Sequence, residues 1–363
     1  MKPVIAIALS GGIDSLVAAC LLKDQGWQPF GLHFITGFET PYFESGTNHS
    51  GSTDFQDRLN TDHHPVMRIG EQLDIPVYLV DCRREFTSEV VGPFCRTYAE
   101  GHTPNPCLVC NPKIKFGFLL DIALQKGASA LATGHYARIR KDPEGRYHLF
   151  KGVDATKDQS YFLAFLNQVQ LSRAVFPLHD MTKEAVRAMA AGKNLHPVER
   201  AESQDICFIS GQRYGDFLTR WAKLEPKPGL IENMSGTVIG EHGGLHLFTI
   251  GQRRGINCPA TDPYYVVRMN PAENRLTVGT KKDLFSGECR VNTINWIREP
   301  AAPVFEAQTK LRYRHRAAPA SVLIESAQRA TVRFHSPQSA VTPGQGAVFY
   351  EDDEVLGGGW IEK

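Results

Sequence analysis

The hydrophobic pattern divides the chain into a front and a back. Val4-Ile5-Ala6-Ile7-Ala8-Leu9 is a short, continuous apolar run, which predicts a buried strand. Ser10–Asp14 reads as a glycine turn. Over Ser15–Gln25 the residues Leu16, Ala19, Cys20 and Leu22 fall on or near one face, which predicts a helix stopped by Gly26. Phe30–Ile35 predicts a second strand. Strand, turn, helix and strand make a βαβ unit, and therefore a parallel sheet. Residues 63–74 read as a helix, Val77–Val80 as a strand after Pro76, Ile114–Gln125 as a helix and Ala130–Thr133 as another buried strand. Residues 36–62 are rich in Gly, Ser, Thr, Asn and Asp and read as a long loop of the functional or mobile kind.

After about residue 200 the pattern changes. Gly and Pro punctuation becomes frequent, as in Pro226-Lys227-Pro228-Gly229, Gly243-Gly244 and Pro343-Gly344. Short alternating runs appear at Tyr264–Val267, Arg275–Val278, Ala320–Ile324 and Ala347–Tyr350. Small β-rich domains are expected there, the last a barrel. The expected boundaries are 1–205 for an α/β domain, 206–284 for a small central domain and 285–363 for a C-terminal β-barrel.

Composition supports this division. A chain of 363 residues, at roughly 150 residues per domain, should hold two or three. Hydrophobic content of 42% with 22% charged residues is that of a folded protein and excludes general disorder. Forty Lys and Arg against 39 Asp and Glu leave a net charge of +1, which excludes binding to a polyanion by bulk charge but not by a local basic patch. No apolar run approaches the roughly 18 residues that span a bilayer. The apolar start leads into Ser10-Gly11-Gly12 without a typical signal-peptide cleavage region. A cytoplasmic protein with no membrane partner is expected. The eight cysteines are scattered apart from Cys107-x-x-Cys110, a spacing that points to metal or redox chemistry rather than a disulfide scaffold.

The first chemical signal is Ala8-Leu9-Ser10-Gly11-Gly12-Ile13-Asp14-Ser15, between the first strand and the first helix. Glycines there let backbone N–H groups turn toward an anion, and the helix N-terminus and serine hydroxyls add to the attraction. Asp14 is out of place beside phosphate unless it caps the helix or meets a magnesium ion. The Walker A lysine is missing, so γ-phosphate transfer is not the expected chemistry. On the glycines alone, a tight strand–helix turn with a polar cap explains the loop equally well. The string Ser-Gly-Gly-x-Asp-Ser resembles the PP-loop of the ATP pyrophosphatases, whose adenine nucleotide alpha-hydrolase-like domains cleave ATP between its α- and β-phosphates.

Further motifs extend the likeness over nearly the whole chain. They are Gly101-His102-Thr103-Pro104-Asn105-Pro106-Cys107-Leu108-Val109-Cys110-Asn111, Thr133-Gly134-His135-Tyr136-Ala137-Arg138 and Lys157-Asp158-Gln159-Ser160-Tyr161-Phe162. Ser203-Gln204-Asp205-Ile206-Cys207-Phe208, Thr249-Ile250-Gly251-Gln252-Arg253-Arg254, Leu311-Arg312-Tyr313-Arg314 and Thr342-Pro343-Gly344-Gln345 complete the set. In this order they resemble the tRNA-specific 2-thiouridylases. The resemblance implies ATP-dependent adenylation of the C2 carbonyl oxygen of a wobble uridine in tRNA. Sulfur then comes from a protein persulfide, and AMP leaves. It further implies that Ala8 to Ser15, Phe34 and Gly134 hold ATP with Mg2+, although the family commonly has Met where Phe34 stands. It places tRNA against His135, Lys157, Asp158, Gln159, Arg312, Tyr313 and Gln345, and the target base against Asn105, Pro106 and Cys107. Cys110 takes the nucleophile's position and Cys207 that of the persulfide carrier. The sulfur donor would be a relay protein, a desulfurase or sulfide.

Plainer readings stand beside these. Lys157-Asp158 reads equally as a surface ion pair, Arg312 and Arg314 as a solvated strand face, Tyr313 as core, His135 as a satisfied structural histidine and Gln345 as turn surface. Cys20, Cys82, Cys95, Cys258 and Cys289 read most simply as buried, inert thiols. His63-His64 with Asp62 lacks metal spacing, and Asp352-Asp353-Glu354 reads as an exposed hairpin turn. A local basic surface is expected to take in Arg138, Lys157, Arg253, Arg254, Arg312, Arg314 and Arg316.

One position departs from the family pattern. Many relatives read Asn-Pro-Asp-x-x-Cys, whereas this chain reads Asn-Pro-Cys-x-x-Cys. A thiol does not replace a carboxylate at neutral pH without a strongly shifted pKa. Two explanations stay open. Either Cys107 is a spare thiol or thiolate and sulfur passes through Cys207 and Cys110, or Cys107, Cys110 and Cys207 hold a [4Fe–4S] cluster by three thiolates. Structural zinc is a weaker third, since no fourth ligand is evident.

Overall fold

The computed structural model describes residues 2–39, 64–198, 206–209, 213–259 and 261–362. The expected loop at 36–62 lies outside them except for residues 36–39, as do His63 and Ser203-Gln204-Asp205. The chain forms two compact units, residues 1–89 with 109–210, and residues 90–108 with 211–363.

In the first unit, β1 (Val4–Ala8) leads through the glycine loop into α1 (Ile13–Asp24) and on to β2 (Gln28–Ile35). The helix begins two residues before the expected Ser15, and seven of its residues, Ser15 to Cys20 and Leu22, are buried. Then come α2 (Met67–Leu73) and β3 (Val77–Asp81), followed by α3 (Arg83–Phe86). The chain stays helical through a π turn at Thr87–Val91 into α4 (Gly92–Ala99), which belongs to the second unit. Proline is tolerated in the first turn of α4, where its missing N–H is not needed. A second helical run holds α5 (Pro106–Cys110), a π segment (Asn111–Leu119) and α6 (Leu120–Gln125), where a plain helix was expected from Ile114. Pro112 has no N–H for the i→i−4 ladder, and Gly117 lets the Pro112 carbonyl approach, since a Cβ there would lie 2.9 Å from that oxygen. Gln170 donates to the Pro112 and Phe116 carbonyls at 2.7 and 3.0 Å, satisfying oxygens inside the π segment.

Next come β4 (Leu131–Ala132), the hairpin of β5 (Ala137–Lys141) and β6 (Tyr147–Lys151), α7 (Gln168–Arg173), β7 (Ala174–Val175) and α8 (Lys183–Gly192). The sheet order is β3-β2-β1-β4-β7 and every pairing is parallel. The connections therefore diverge on either side of β1, and the crevice at the carboxyl ends of β1 and β4 is the topological switch point where open α/β sheets bind ligands. Ile5, Ile7, Leu9, Leu16, Val186 and their neighbours form the core beneath it.

In the second unit, α4 packs against α9 (Tyr214–Trp221), with Tyr98 stacked on Tyr214 at 5.1 Å and Phe94 edge-on to Phe217 at 6.3 Å. This pairing joins residues 90–108 to elements more than a hundred positions on. A four-stranded sheet runs β10-β11-β8-β9, with β8 Gly229–Glu232, β9 Val238–His242, β10 Tyr265–Asn270 and β11 Arg275–Gly279. Six antiparallel strands follow: β12 (Phe285–Trp296), β13 (Val304–Lys310), β14 (Ala318–Ser326), β15 (Arg329–Ser339), β16 (Gly346–Glu351) and β17 (Glu354–Ile361). They run β12-β15-β14-β13-β16-β17, and β12 also pairs with β17, so this set closes into a barrel. The expected architecture, a parallel-sheet α/β domain followed by a central domain and a terminal barrel, is the one observed. Asp352 and Asp353 form the turn between β16 and β17, as expected.

The barrel seam tolerates no side chain at Gly357, where a Cβ would collide with the Asn295 carbonyl and lie 3.1 Å from Trp296. Gly357→Ala should destabilise the barrel by about 1–3 kcal/mol, the usual cost of overpacking. Urea denaturation would check it, with an unchanged midpoint counting against this packing.

Candidate active site

The loop at the end of β1 is held open from within. Ser15 Oγ donates to the Gly12 carbonyl at 3.0 Å and accepts from Ser10 N at 3.3 Å. Gly11 takes φ 95°, a conformation that favours glycine. Ser10 is exposed and Gly12 has extended dihedrals with no side-chain cap, so the first amides of α1 are not satisfied by a capping side chain. Gly134, just past β4, lies against the loop, and a Cβ there would lie 2.9 Å from both Asp14 C and Ser15 N. The resulting cradle of amides and hydroxyls at a helix start fits phosphate. Phe34 is half-buried near the end of the neighbouring strand β2.

Asp14 belongs to a network that sequence reasoning missed. Lys183 Nζ lies 2.7 and 2.8 Å from its two carboxylate oxygens, and Tyr136 Oη donates to Oδ1 at 2.6 Å. Lys183 is buried, at 6% exposure. It opens α8 beside its cap Thr182, whose hydroxyl accepts from Ala185 N at 3.2 Å. A lysine just after a capping threonine was the available signal, but its partner is 169 positions away.

The network continues to the cysteine helix. Tyr136 N donates to Gln159 Oε1 at 3.1 Å, and Gln159 N to the Tyr136 carbonyl at 2.9 Å. Asp158 is buried and accepts from Ser160 N and Ser160 Oγ at 3.1 and 3.0 Å. The short helix this turn starts offers the Phe162 carbonyl to Asn111 Nδ2 at 3.0 Å, next to Cys110. A second tie runs from Lys115 Nζ to His135 Nε2 at 3.4 Å and from His135 Nδ1 to Thr133 Oγ1 at 2.6 Å. Burial, then the Lys115 charge, pushes the His135 pKa well below its usual value, so the ring is neutral. Asp158, Gln159 and His135 thus have structural partners inside the first unit, while Lys157 is half-buried.

Cys207 is exposed. Its neighbour Phe208 is buried edge-on against Phe38 at 5.9 Å and Phe86 at 5.7 Å. Phe38 follows β2 and Phe86 follows β3, so Cys207 is anchored at the carboxyl edge of the sheet that also carries the phosphate loop. Val198 N donates to the Gly11 carbonyl at 3.0 Å, tying the chain to the loop shortly before that cysteine. Cys107 and Cys110 are half-buried on α5, one helical turn apart. By contrast, Cys20, Cys82, Cys95 and Cys289 are buried. Burial pushes the thiols of Cys82 and Cys289 up to about 12 and that of Cys95 to about 11, so they stay protonated. Half-buried Cys258 is also raised by burial.

Among the described residues, no group of three or more His, Cys, Asp or Glu side chains is arranged to hold a metal ion. Cys107, Cys110 and Cys207 are not part of any such group.

In the second unit, Asn105 is half-buried and Pro106 buried at the start of α5. Arg312 donates to the Ser339 and Ala340 carbonyls, both at 3.3 Å, and Lys310 Nζ sits over the Tyr313 ring at 5.3 Å. Gln345 donates to the Thr103 and Pro104 carbonyls at 3.0 and 3.1 Å. Arg253, Arg254, Arg314 and Arg316 are exposed, and Arg138 is half-buried in the first unit.

A parallel sheet with an anion-binding glycine loop at its switch point defines a nucleotide-binding α/β protein of the PP-loop class. A family model described as the HUP domain of tRNA methyl transferases matches residues 3–211. A PRC-barrel domain model matches 215–280 and an aminomethyltransferase beta-barrel model 286–361. A protein of Desulfosudis oleivorans named tRNA-specific 2-thiouridylase MnmA is 50% identical over 360 residues, covering 99% of this chain and 95% of its own. Proteins of the same name from Geotalea uraniireducens and Geobacter metallireducens are 43% and 41% identical, each covering 99% of this chain and 94% and 96% of their own. The chain belongs to the tRNA-specific 2-thiouridylase (MnmA) family.

Two predictions follow from the loop and its neighbours. Gly134→Ala should weaken ATP binding about tenfold or more by pushing the loop backbone, in the range expected of overpacking, and calorimetric titration with ATP would measure it. The second concerns His33, whose Nδ1 donates to the Leu9 carbonyl at 2.7 Å beneath the loop. Burial lowers its pKa from 6.5 to about 4; the Leu9 bond and Glu39 oppose the shift, and His64 adds to it. The unfolded chain therefore binds this proton first. His33 contributes stability above pH 6.5 that is lost as pH falls toward 4, up to about 3 kcal/mol. Urea unfolding at pH 7 and 5 should show less acid sensitivity in His33→Gln than in the wild type.

Proposed function

We propose that this protein is an ATP-dependent tRNA-uridine 2-sulfurtransferase acting on the wobble base. The observation that carries this reading is the meeting of an ATP-type anion loop with an exposed, anchored Cys207 at one edge of one sheet. Each group has a separate task. Ala8 to Ser15 cradle the phosphates, with Phe34 and Gly134 against the adenosine part, and Mg2+ bound with ATP would offset phosphate charge there. Lys183 neutralises Asp14, so the loop does not repel its anion. The uridine C2 oxygen attacks the α-phosphorus, and pyrophosphate leaves. This converts a poor leaving group into AMP.

The terminal sulfur of a Cys207 persulfide then attacks C2, the C2–O bond breaks, and AMP departs with that oxygen. The Cys110 thiolate attacks Cys207 Sγ, breaking the S–S bond to the transferred sulfur. The product is 2-thiouridine, and the resulting Cys110–Cys207 disulfide is reduced by an external thiol. The persulfide is loaded with sulfane sulfur by a relay protein or desulfurase; free sulfide would instead attack the adenylated C2 directly and displace AMP, with no persulfide or disulfide formed. Asn105, Pro106 and Cys107 meet the base. Lys157, Arg312 and Tyr313 bind tRNA, and Asp158, Gln159 and His135 support that surface from within. The catalytic domain is assigned to 1–205, the central domain to 206–284 and the barrel to 285–363, in a cytoplasmic enzyme.

The domain descriptions that mention methyl transfer do not change the reading, because the relatives matched over the whole chain are named 2-thiouridylases. Full-length protein given unmodified tRNA, ATP, Mg2+ and a sulfur donor should yield 2-thiouridine on nucleoside mass analysis. Cys110→Ser and Cys207→Ser should each abolish that product, a loss of at least about a thousandfold for a covalent nucleophile, while pyrophosphate is still released in the adenylation step. Product without ATP, or unchanged product from both variants, would exclude the mechanism.

A further inference from the structure

The strap Gly101–Pro104 leads into Asn105-Pro106-Cys107 and is held by loops from two parts of the second unit. Gly101 has φ 72°, and a Cβ there would lie 2.6 Å from Pro271 Cγ. Thr103 N donates to the Pro343 carbonyl at 2.9 Å. Gly344, at φ 87°, lies flat against the strap, where a Cβ would sit 2.9 Å from Thr103 O and 3.1 Å from His102 Cβ. The main chain of Gln345 is fixed at the barrel rim. Its N–H donates to Thr342 O at 3.2 Å and its carbonyl accepts from Ile361 N at 2.9 Å. Its side-chain Nε2 commits both hydrogens to the strap, at 3.0 Å to Thr103 O and 3.1 Å to Pro104 O.

Both carbonyls come just before the segment that starts α5. Pro104 and Pro106 lock their own φ angles and restrict the residue before each. A strap of this stiffness has few remaining freedoms, so holding two successive carbonyls sets where Asn105 and Cys107 stand.

We propose that Gln345 is a positioning residue. It holds the base-facing segment Asn105–Cys107 through the strap rather than by touching RNA. This rests on the thiolation reading only in what the segment is for; the clamp itself is independent of it. Gln345→Glu keeps the shape but sets acceptors against two carbonyls, and Gln345→Ala removes the amide. Gly344→Ala disturbs the same clamp from the backbone.

The test uses the full chain, with circular dichroism and melting as fold controls. Iodoacetamide labelling at Cys107 is read by peptide mass spectrometry, with Cys207 as the internal reference. Filter binding gives tRNA Kd and single-turnover thiolation gives the rate. In Gln345→Glu the Cys107 labelling rate should change at least about threefold relative to Cys207, since thiol reactivity follows its surroundings. Thiolation should slow about tenfold (about 1.4 kcal/mol), with tRNA Kd within about twofold. Unchanged Cys107 labelling together with a tRNA Kd weakened about tenfold would mean direct RNA contact and overturn the proposal. Unchanged labelling in both Gln345 variants overturns it whatever the activity. If the wild type makes no 2-thiouridine yet Cys107 labelling responds as expected, the clamp stands and the functional reading falls.

Discussion

A carboxylate at the lip of a loop shaped for phosphate would repel the anion that the loop receives, and the fold resolves this by bringing Lys183 to 2.7 Å from Asp14. The lysine is buried, so its charge is tolerable only because the carboxylate is there. Neither group is well placed without the other. Removing Asp14 costs more than the pair contributes, because the buried lysine is left uncompensated. The pair therefore ties α8 to the start of α1 and offsets the carboxylate charge at the loop proposed to take ATP. Tyr136 shares the same carboxylate. Its main chain exchanges hydrogen bonds with Gln159, whose turn leads to Asn111 beside Cys110. An electrostatic requirement of the nucleotide loop is thus also a mechanical link to the cysteine helix.

That link alters the meaning of several residues that a motif comparison assigns to RNA. Asp158, Gln159 and His135 all have partners within the protein, and His135 is a buried neutral ring between Thr133 and Lys115. A residue can matter to tRNA without meeting it, if it sets the height and tilt of the groups that do. Arg312 has the same double character, since its guanidinium spans two main-chain carbonyls at the end of β15.

How far the sequence could be read followed the range of the forces involved. The β1–loop–α1–β2 unit was legible because a run of apolar residues, a glycine turn and a helical face lie within about thirty positions. The barrel strands were legible from alternation and turn residues. The helix at Gly92–Ala99 was not, because Gly-Pro reads as a turn, while the π turn before it carries the helix into a proline that the first turn accepts. The π segment after Cys110 was read only as a helix starting at Ile114, since its spare carbonyls find Gln170 more than fifty residues away. The Lys183–Asp14 and Gln345–strap contacts span 169 and 242 positions, and no local pattern announces them. In the site, residue types and loop geometry were legible, but which side chains face inward was not.

The cysteines show why burial, more than identity, sorts the chemistry. Four are buried, and desolvation holds Cys82, Cys95 and Cys289 far above neutral pH, so they cannot compete for sulfur. Cys207 is exposed, yet its segment is anchored by a buried phenylalanine. A sulfur carrier, the role proposed for Cys207, must satisfy both demands, since it has to be reached by a donor and then held against one substrate atom. Cys107, where many relatives carry aspartate, changes the local demand again. A carboxylate there would be charged and acceptor-only at neutral pH, whereas a thiol is a weak donor of small size. The general acid–base duty a carboxylate could perform must then fall to water or to the leaving groups themselves. Under the proposed mechanism adenylation makes that sufficient, because AMP would leave as a stabilised anion and need no proton at the moment the C2–O bond breaks.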